Sequence, residues 1–438
     1  MLLNAADKAL WRLALPMIFS NITVPLLGLV DTAVIGHLDS PVYLGGVAVG
    51  ATATSFLFML LLFLRMSTTG LTAQAWGAKD PQRLARALVQ PLALALGAGV
   101  LIILLRLPLI DLALHIVGGS EAVLEQARRF LEIRWLSAPA SLANLVLLGW
   151  LLGVQYARAP VILLVVGNLL NIVLDLWLVM GLRMNVQGAA LATVTAEYAA
   201  LIIGLMMAKR VLTLRGVSLA MLKNAWRGDL RRLLALNRDI MLRSLLLQLC
   251  FGALTVFGAR LGSDIVAVNA VLMTMLTFTA YALDGFAYAV EAHSGQAYGA
   301  RDGSQLLEVW RAACRQSGMV ALAFALIYSL AGQYIIALLT SLPSLQQLAD
   351  RYLIWQTILP VVGVWCYLLD GMFIGATRGA EMRNSMAVAA AGFAVTLLTV
   401  PVLGNHGLWL ALAVFLALRG LSLALIWRRH WRCGTWFS

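Results

Sequence analysis

Apolar residues in this chain neither alternate nor recur as a narrow stripe; they form long uninterrupted runs. A helix needs about 20 apolar residues to cross the hydrocarbon core of a bilayer. Runs of that length occur near 12–37, 42–74, 87–110, 131–154, 161–182 and 188–208, and again near 240–261, 265–290, 313–340, 353–374, 385–403 and 408–427. The first follows "NAADKALWR" with no small-residue cleavage site before Asn21, so it reads as a retained helix and not a removed signal peptide. The pattern predicts an all-α polytopic membrane protein with twelve transmembrane helices in two pseudo-symmetric six-helix bundles.

The polar interruptions orient these spans. Lys79, Arg83 and Arg86, then Arg158, then the cluster from Lys209 to Arg238, all fall in alternate loops. Arg301, Arg311, Arg378, Arg383 and the tail Arg428, Arg429 and Arg432 do the same. By the positive-inside rule those loops, and both termini, are cytoplasmic. An outer segment, "SEAVLEQARRFLEIRW" at 120–135, reads as an amphipathic helix running into the fourth span. The stretch 209–239 reads as a cytoplasmic linker carrying a surface helix, between a first lobe at 1–208 and a second at 240–438 with a short tail.

The two sets of spans repeat. "QAWGAKDPQRL" from Gln74 returns as "QAYGARDGSQL" from Gln296, 222 positions later, and the same offset aligns Gly36 with Gly258 and Gly153 with Gly375. An even number of helices per repeat gives both halves the same orientation, which is the parallel-repeat design of secondary transporters.

Composition supports a membrane setting and removes other classes. The chain is 61% hydrophobic and 12% charged, where soluble proteins are about half apolar and a quarter charged. Its net charge of +12 sits in loops between spans, so no domain remains to bind nucleic acid. Cys250, Cys314, Cys366 and Cys433 are scattered singly, with neither a disulfide framework nor metal-ligand spacing. Arg65, Arg243 and Arg260 are expected to snorkel toward an interface, whereas Arg419 is too central for that and requires a carboxylate partner.

Charge inside a span marks candidate chemistry. A charge at the centre of a transmembrane helix costs roughly 2.5–3.5 kcal/mol on the insertion scale, so such residues usually work. Asp31 lies inside the first span, in "GLVDTAVIGHLD". In the fifth, "GNLLNIVLDLWLV" puts Asn168, Asn171 and Asp175 on one stripe. In the sixth, "GAALATVTAEY" adds Thr193 and Glu197. Counting about 1.5 Å per residue places Asp31, Asp175 and Thr193 at one depth, in the outer half of the first bundle. The second half offers Ala253 and "AVTLLTVPV" at the matching places, so these carboxylates belong to one lobe.

"LGLVDTAVIGHL", "NIVLDLWLV", "GAALAT" and the paired "QAxGAxD" loops resemble the multidrug and toxic compound extrusion (MATE) family of cation-coupled efflux transporters. "ALDGFAYAVEAHSGQAYGA" and "YLLDGMFIGATR" look like its DinF-like (DNA-damage-inducible F) branch. The resemblance implies two six-helix lobes around a central cavity. It also implies exchange of inward-moving protons or sodium for outward-moving lipophilic, often cationic compounds. By motif position the coupling residues fall on Asp31, Asn171, Asp175 and Thr193, with protons preferred over sodium.

Pro25, six residues before Asp31, is a candidate hinge, because proline removes a helix hydrogen bond and weakens its turn. Asn144, Glu197, Met273, Tyr281, Asp284 and Asp370 are candidates to line a substrate cavity. For Glu197, pairing with a basic residue elsewhere is an equal reading. For Asp284 and Asp370, which share "LDG", a helix-end hydrogen-bonding role is an equal reading. Asn168 is read as an interhelical hydrogen-bonding residue. No HExxH, GxSxG or Walker pattern supports an enzyme or an ATPase. The expectation is therefore a monomeric, multi-pass transporter of the bacterial cytoplasmic membrane. It would have no cofactor or metal, and its partners would be small lipophilic substrates and membrane lipids. The competing reading is a flippase or exporter of a lipid-linked or amphipathic metabolite.

Overall fold

Helices account for nearly all of the structure because a helix satisfies its backbone N–H and C=O groups within its own segment, whereas a barrel would need alternating polar positions that these continuous apolar runs lack. The computed structural model describes residues 3–38, 40–225 and 227–438, without the side chains of 24–32. Its first half holds α1 (Ala5–Gly36), α2 (Pro41–Leu60), α3 (Phe63–Gly77), α4 (Pro81–Leu104), α5 (Arg106–Val117), α6 (Glu121–Arg134), α7 (Ala138–Gly153), α8 (Ala159–Asp175) and α9 (Asn185–Leu214). A short α10 (Leu219–Asn224) leads to α11 (Leu230–Arg260), α12 (Ser263–Ala300), α13 (Gly303–Leu339), α14 (Pro343–Gly375), α15 (Gly379–Thr396), α16 (Val400–Leu403) and α17 (Asn405–Cys433). Among the described residues there is no strand, and eleven helical stretches are long and apolar enough to cross a membrane. The twelfth expected span falls on α1, part of whose side chains lie outside the described residues.

Several boundaries differ from the sequence reading. The second span is broken into α2 and α3 at Leu61 and Leu62, where no proline or glycine announces a break. The third is α4, ending at Leu104, and the apolar tail assigned to it belongs to the separate α5. The amphipathic segment is α6, which passes through one 3-10 turn at Trp135–Ser137 into α7. Of the expected linker, the first residues extend α9 and the last ten begin α11.

The chain forms two compact units, Ile22–Leu234 and Met1–Asn21 with Ala235–Ser438. The expected lobe from residue 1 to 208 thus lacks its first 21 residues, which pack with the second unit. The reason is a set of contacts on α12 and α13. Trp11 lies edge-on against Phe286 at 4.8 Å and donates from Nε1 to Gln316 Oε1 at 2.9 Å. Arg315 pairs with Asp7 at 3.0 Å. Gly285 lets the α1 backbone come close, since a Cβ there would stand 3.0 Å from Ile18 N.

The internal repeat is visible in the packing. Asp80 and Asp302, 222 positions apart, both cap the helix that follows by accepting from backbone N–H groups. Lys79 and Arg301 just before them share a left-handed backbone, with φ of 54° and 53°. A Cβ on Gly149 would lie 2.5 Å from the Arg65 carbonyl oxygen, and one on Gly371 would lie 2.7 Å from that of Ala287, again the equivalent residue. The α3–α7 and α12–α14 contacts are therefore one backbone-close helix packing used twice.

Candidate functional site

In the first unit α8 presents Asn171 and Asp175 one turn apart, and both are buried. Asp175 is the last α-helical residue before a π-helical stretch, Leu176–Gly181. Such i→i+5 insertions widen a helix and recur at functional sites. The stretch is held against the start of α9 by Gly188, where a Cβ would meet the Leu178 carbonyl carbon at 3.1 Å. That approach brings α8 beside Thr193. Asn171 Nδ2 donates to Thr193 Oγ1 at 3.5 Å, and Thr193 Oγ1 donates to the Ala189 carbonyl at 3.1 Å. Asn171 Oδ1 is buried with no partner among the described residues, so it is an available oxygen ligand or acceptor. The structure thus joins Asn171 to Thr193 and places buried Asp175 one turn along α8 from Asn171. Asp31 and Pro25 lie in α1 among residues whose side chains are not described.

Asn144 and Glu197 also come together, but around an ion pair. Arg134 at the end of α6 grips Glu197 two-pronged, at 3.0 and 3.4 Å. Ser141 Oγ donates to the same carboxylate, and Asn144 Nδ2 donates to the Glu197 backbone carbonyl at 3.1 Å. Glu197 therefore ties α6, α7 and α9, which realises the pairing reading. Asn168 makes no side-chain hydrogen bond among the described residues, against the expected interhelical bond.

In the second unit Asp370 of α14 accepts from Arg243 of α11 and Arg419 of α17, both through Oδ2. All three are buried, with Arg243 5% and Arg419 4% exposed. Arg419's carboxylate partner is thus identified. The expectation that Arg65 and Arg243 snorkel is corrected: both are buried, Arg243 on Asp370 and Arg65 donating to Thr69 Oγ1. A guanidinium held by internal acceptors has no need to reach an interface. Arg260, in contrast, is exposed, its guanidinium over the Phe257 ring.

Met273 lines a cavity of about 310 Å³ between α11 and α12, together with Phe251, Leu254 and Asn269. Tyr281 lends its carbonyl to Asn21 Nδ2 at 3.2 Å, and Asp284 is half-buried on the same helix. Sequence reasoning missed Arg134 and Ser141 as Glu197's partners. A signal existed: Glu197 and Arg419 are 222 positions apart, so the repeat places opposite charges at one equivalent site and demands a partner for each. Among the described residues no group of three or more His, Cys, Asp or Glu is arranged to hold a metal ion.

The profile of the family described as MatE matches residues 16–177 and 240–404, one segment in each half of the repeat. The chain belongs to the MATE family. Its members are transporters, not enzymes, and this chain is a multi-pass membrane protein of that family. The chain is similar to DNA damage-inducible protein F of Escherichia coli (strain K12), with 87% identity over 436 residues, covering 100% of this chain and 95% of that protein. Among solved MATE structures, an outward-facing multidrug resistance transporter of the MOP superfamily superposes with a TM-score of 0.85 at 23% identity, covering 98% of this chain and 96% of that one. A MATE crystal structure in a bent conformation does so with a TM-score of 0.84 at 22% identity and the same coverage. These neighbours share the two-lobe MATE fold with this chain.

Proposed function

We propose that this chain is a proton-coupled antiporter that exports lipophilic, often cationic compounds across the bacterial cytoplasmic membrane, with both termini cytoplasmic. The observation that carries the reading is the polar set around Asp175. Asn171, Asp175 and Thr193 sit where the repeat puts Phe393, Leu397 and Phe415 in the other half. The fold is stable with apolar residues at those places, so the polar ones serve something other than folding. A buried carboxyl beside an amide and a hydroxyl can take up and release a proton, and Asp31 is proposed as its companion on α1. In the second half Asp370 is engaged by two arginines, which repel a further cation. This supports coupling through the first half.

The family relationship supports efflux as the activity. The name of the outward-facing relative mentions multidrug resistance. The orientation rests on the basic loops that alternate along the chain.

The test is transport in proteoliposomes with proton and sodium gradients imposed separately. Efflux of a lipophilic cation driven by the proton gradient alone is expected. Efflux that needs sodium and ignores protons would overturn the coupling, and no efflux of any amphipathic cation under either gradient would favour the flippase reading.

A further inference from the structure

The polar surface at the start of α4 holds a basic pocket that the transport chemistry does not use. Arg83 and Arg86 on α4 and Arg232 near the start of α11 line it, with Asp229 as the one carboxylate. Its floor and walls are apolar or neutral: Leu71, Ala87, Pro91 and Leu233, with Gln90. The connecting segment is shaped to form it. Gln90 Nε2 donates to the Gly228 carbonyl at 2.6 Å, and Gly228 and Asp229 both take positive φ, 88° and 49°, turning the chain over α4.

The charges in this pocket are not balanced. Arg83 and Arg86 face one carboxylate, and Asp229 reaches Arg86 only at 3.6 Å while its side chain is 67% exposed; Arg232, at the rim, donates to Gln74 Oε1 at 3.4 Å. Arg86 Nε is buried with no hydrogen-bond partner among the described residues. Arg83 makes no side-chain ion pair among them either. The repeat shows that the fold does not require this arrangement, since the positions equivalent to Arg83 and Arg86 on α13 are Gln305 and Glu308. Orientation in the membrane explains arginines in this loop, but not their convergence on one concavity.

We infer that this pocket binds the phosphate of an anionic phospholipid headgroup. Converging guanidinium groups match phosphate oxygens two-pronged, and basic pockets at the ends of spans are how headgroups are recognised. Two further features favour a lipid over a soluble phosphate. On α4 the lining runs from Arg83 to Pro91, about 12 Å of helix, so the pocket runs from the basic first turns into the apolar run, as a headgroup followed by its glycerol would. The segments beside it expose large apolar side chains, with Leu214 76%, Leu219 68% and Leu230 51% exposed, as expected of chain lying in the membrane interface.

The full chain in detergent should be titrated with phosphatidylglycerol, with phosphatidylcholine of the same acyl chains, and separately with inorganic phosphate, following thermal unfolding. Phosphatidylglycerol should stabilise and phosphatidylcholine should not. Arg86→Gln and Arg83→Gln should each weaken the apparent phosphatidylglycerol affinity roughly fivefold, and Asp229→Asn should tighten it by a similar factor. Arg215→Gln, a basic residue outside the pocket that stacks on Trp76, should leave it unchanged. Should an arginine variant fail to fold, the gain in Asp229→Asn still decides the question. Equal stabilisation by both lipids, the same loss in Arg215→Gln as in the pocket variants, or no gain in Asp229→Asn would overturn the site. Full stabilisation by inorganic phosphate alone would overturn the lipid as its ligand.

Discussion

Phe393 and Phe415 stack edge to face with centroids 6.0 Å apart, at positions 222 residues after Asn171 and Thr193. The repeat therefore solves one helix contact twice. The second half uses two buried aromatic rings, and the first uses an amide donating to a hydroxyl. The aromatic contact is what packing alone favours. A polar pair at membrane depth gives up that stabilisation, a cost that the proposed coupling role would account for.

Replacing the polar pair by apolar residues of similar size should accordingly separate folding from coupling. Asn171→Leu with Thr193→Val should leave the melting temperature unchanged or raised, since two polar groups leave a low-dielectric site. Proton-driven efflux should fall at least about tenfold, because the buried carboxyl then loses its polar surroundings, and leaving a buried polar group unsatisfied costs ~1–3 kcal/mol. Unfolding and transport measured on the same preparation check this. A variant that loses stability and keeps efflux would make the pair structural.

The carboxylates themselves make a stronger prediction. Asp175→Asn and Asp31→Asn should each abolish coupled efflux in proteoliposomes while the protein still inserts and purifies as one species, because asparagine cannot exchange a proton. Ala253→Ser, at the position equivalent to Asp31, should change efflux little. Normal efflux from either asparagine variant contradicts the assignment.

In the second half the prediction concerns stability. Asp370→Ala strands two buried guanidinium groups, and breaking a buried ion pair from one side costs about 3–5 kcal/mol. A large drop in melting temperature is expected. Removing all three charges with Asp370→Leu, Arg243→Leu and Arg419→Met should recover most of it, because no charge is then left unpaired. If the triple variant is no more stable than Asp370→Ala, the trio contributes by something other than charge balance.

The sequence was readable where its signal is local and unreadable where it is not. The spans follow from long apolar runs, and the repeat from "QAWGAKD" and "QAYGARD", whose left-handed Lys79 and Arg301 and capping aspartates prove structurally equivalent. The stripe of Asn171 and Asp175 follows from helical spacing. The break at Leu61 carries no proline or glycine, and the π stretch after Asp175 meets a glycine only at its end, Gly181, so tertiary packing sets where each begins. Arg419's partner lies 49 residues away and Glu197's lies 63 away, and no window of the sequence joins them. The tail shows the same limit. Trp436, in the short tail, is buried against Phe373 at 5.1 Å, with Arg378 donating to the carbonyls of Thr435 and Trp436.

The last prediction concerns α1. This helix is continuous from Ala5 to Gly36, but its residues through Asn21 pack with the second unit and those from Ile22 with the first. Pro25 follows that change of partner by four residues and Asp31 by ten. A proline N-terminal to the carboxyl leaves the helix one hydrogen bond short where it is claimed by two bodies, so bending there costs little. Charged, Asp31 demands polar company; protonated, it can donate a hydrogen bond and rest in a drier position. A proton can shift such an equilibrium only by as much as its affinity differs between the two shapes, and this change in demand supplies that difference. Spin labels at His37→Cys and Ser263→Cys, in a background without the native cysteines, should report a distance that changes when the pH is moved between about 8 and about 5. The change should vanish in Asp31→Asn and shrink in Pro25→Ala, where the helix regains its hydrogen bond. If Asp31→Asn shows the same pH-dependent distances as the parent, a different group bends the helix, and Asp175 is the next to substitute.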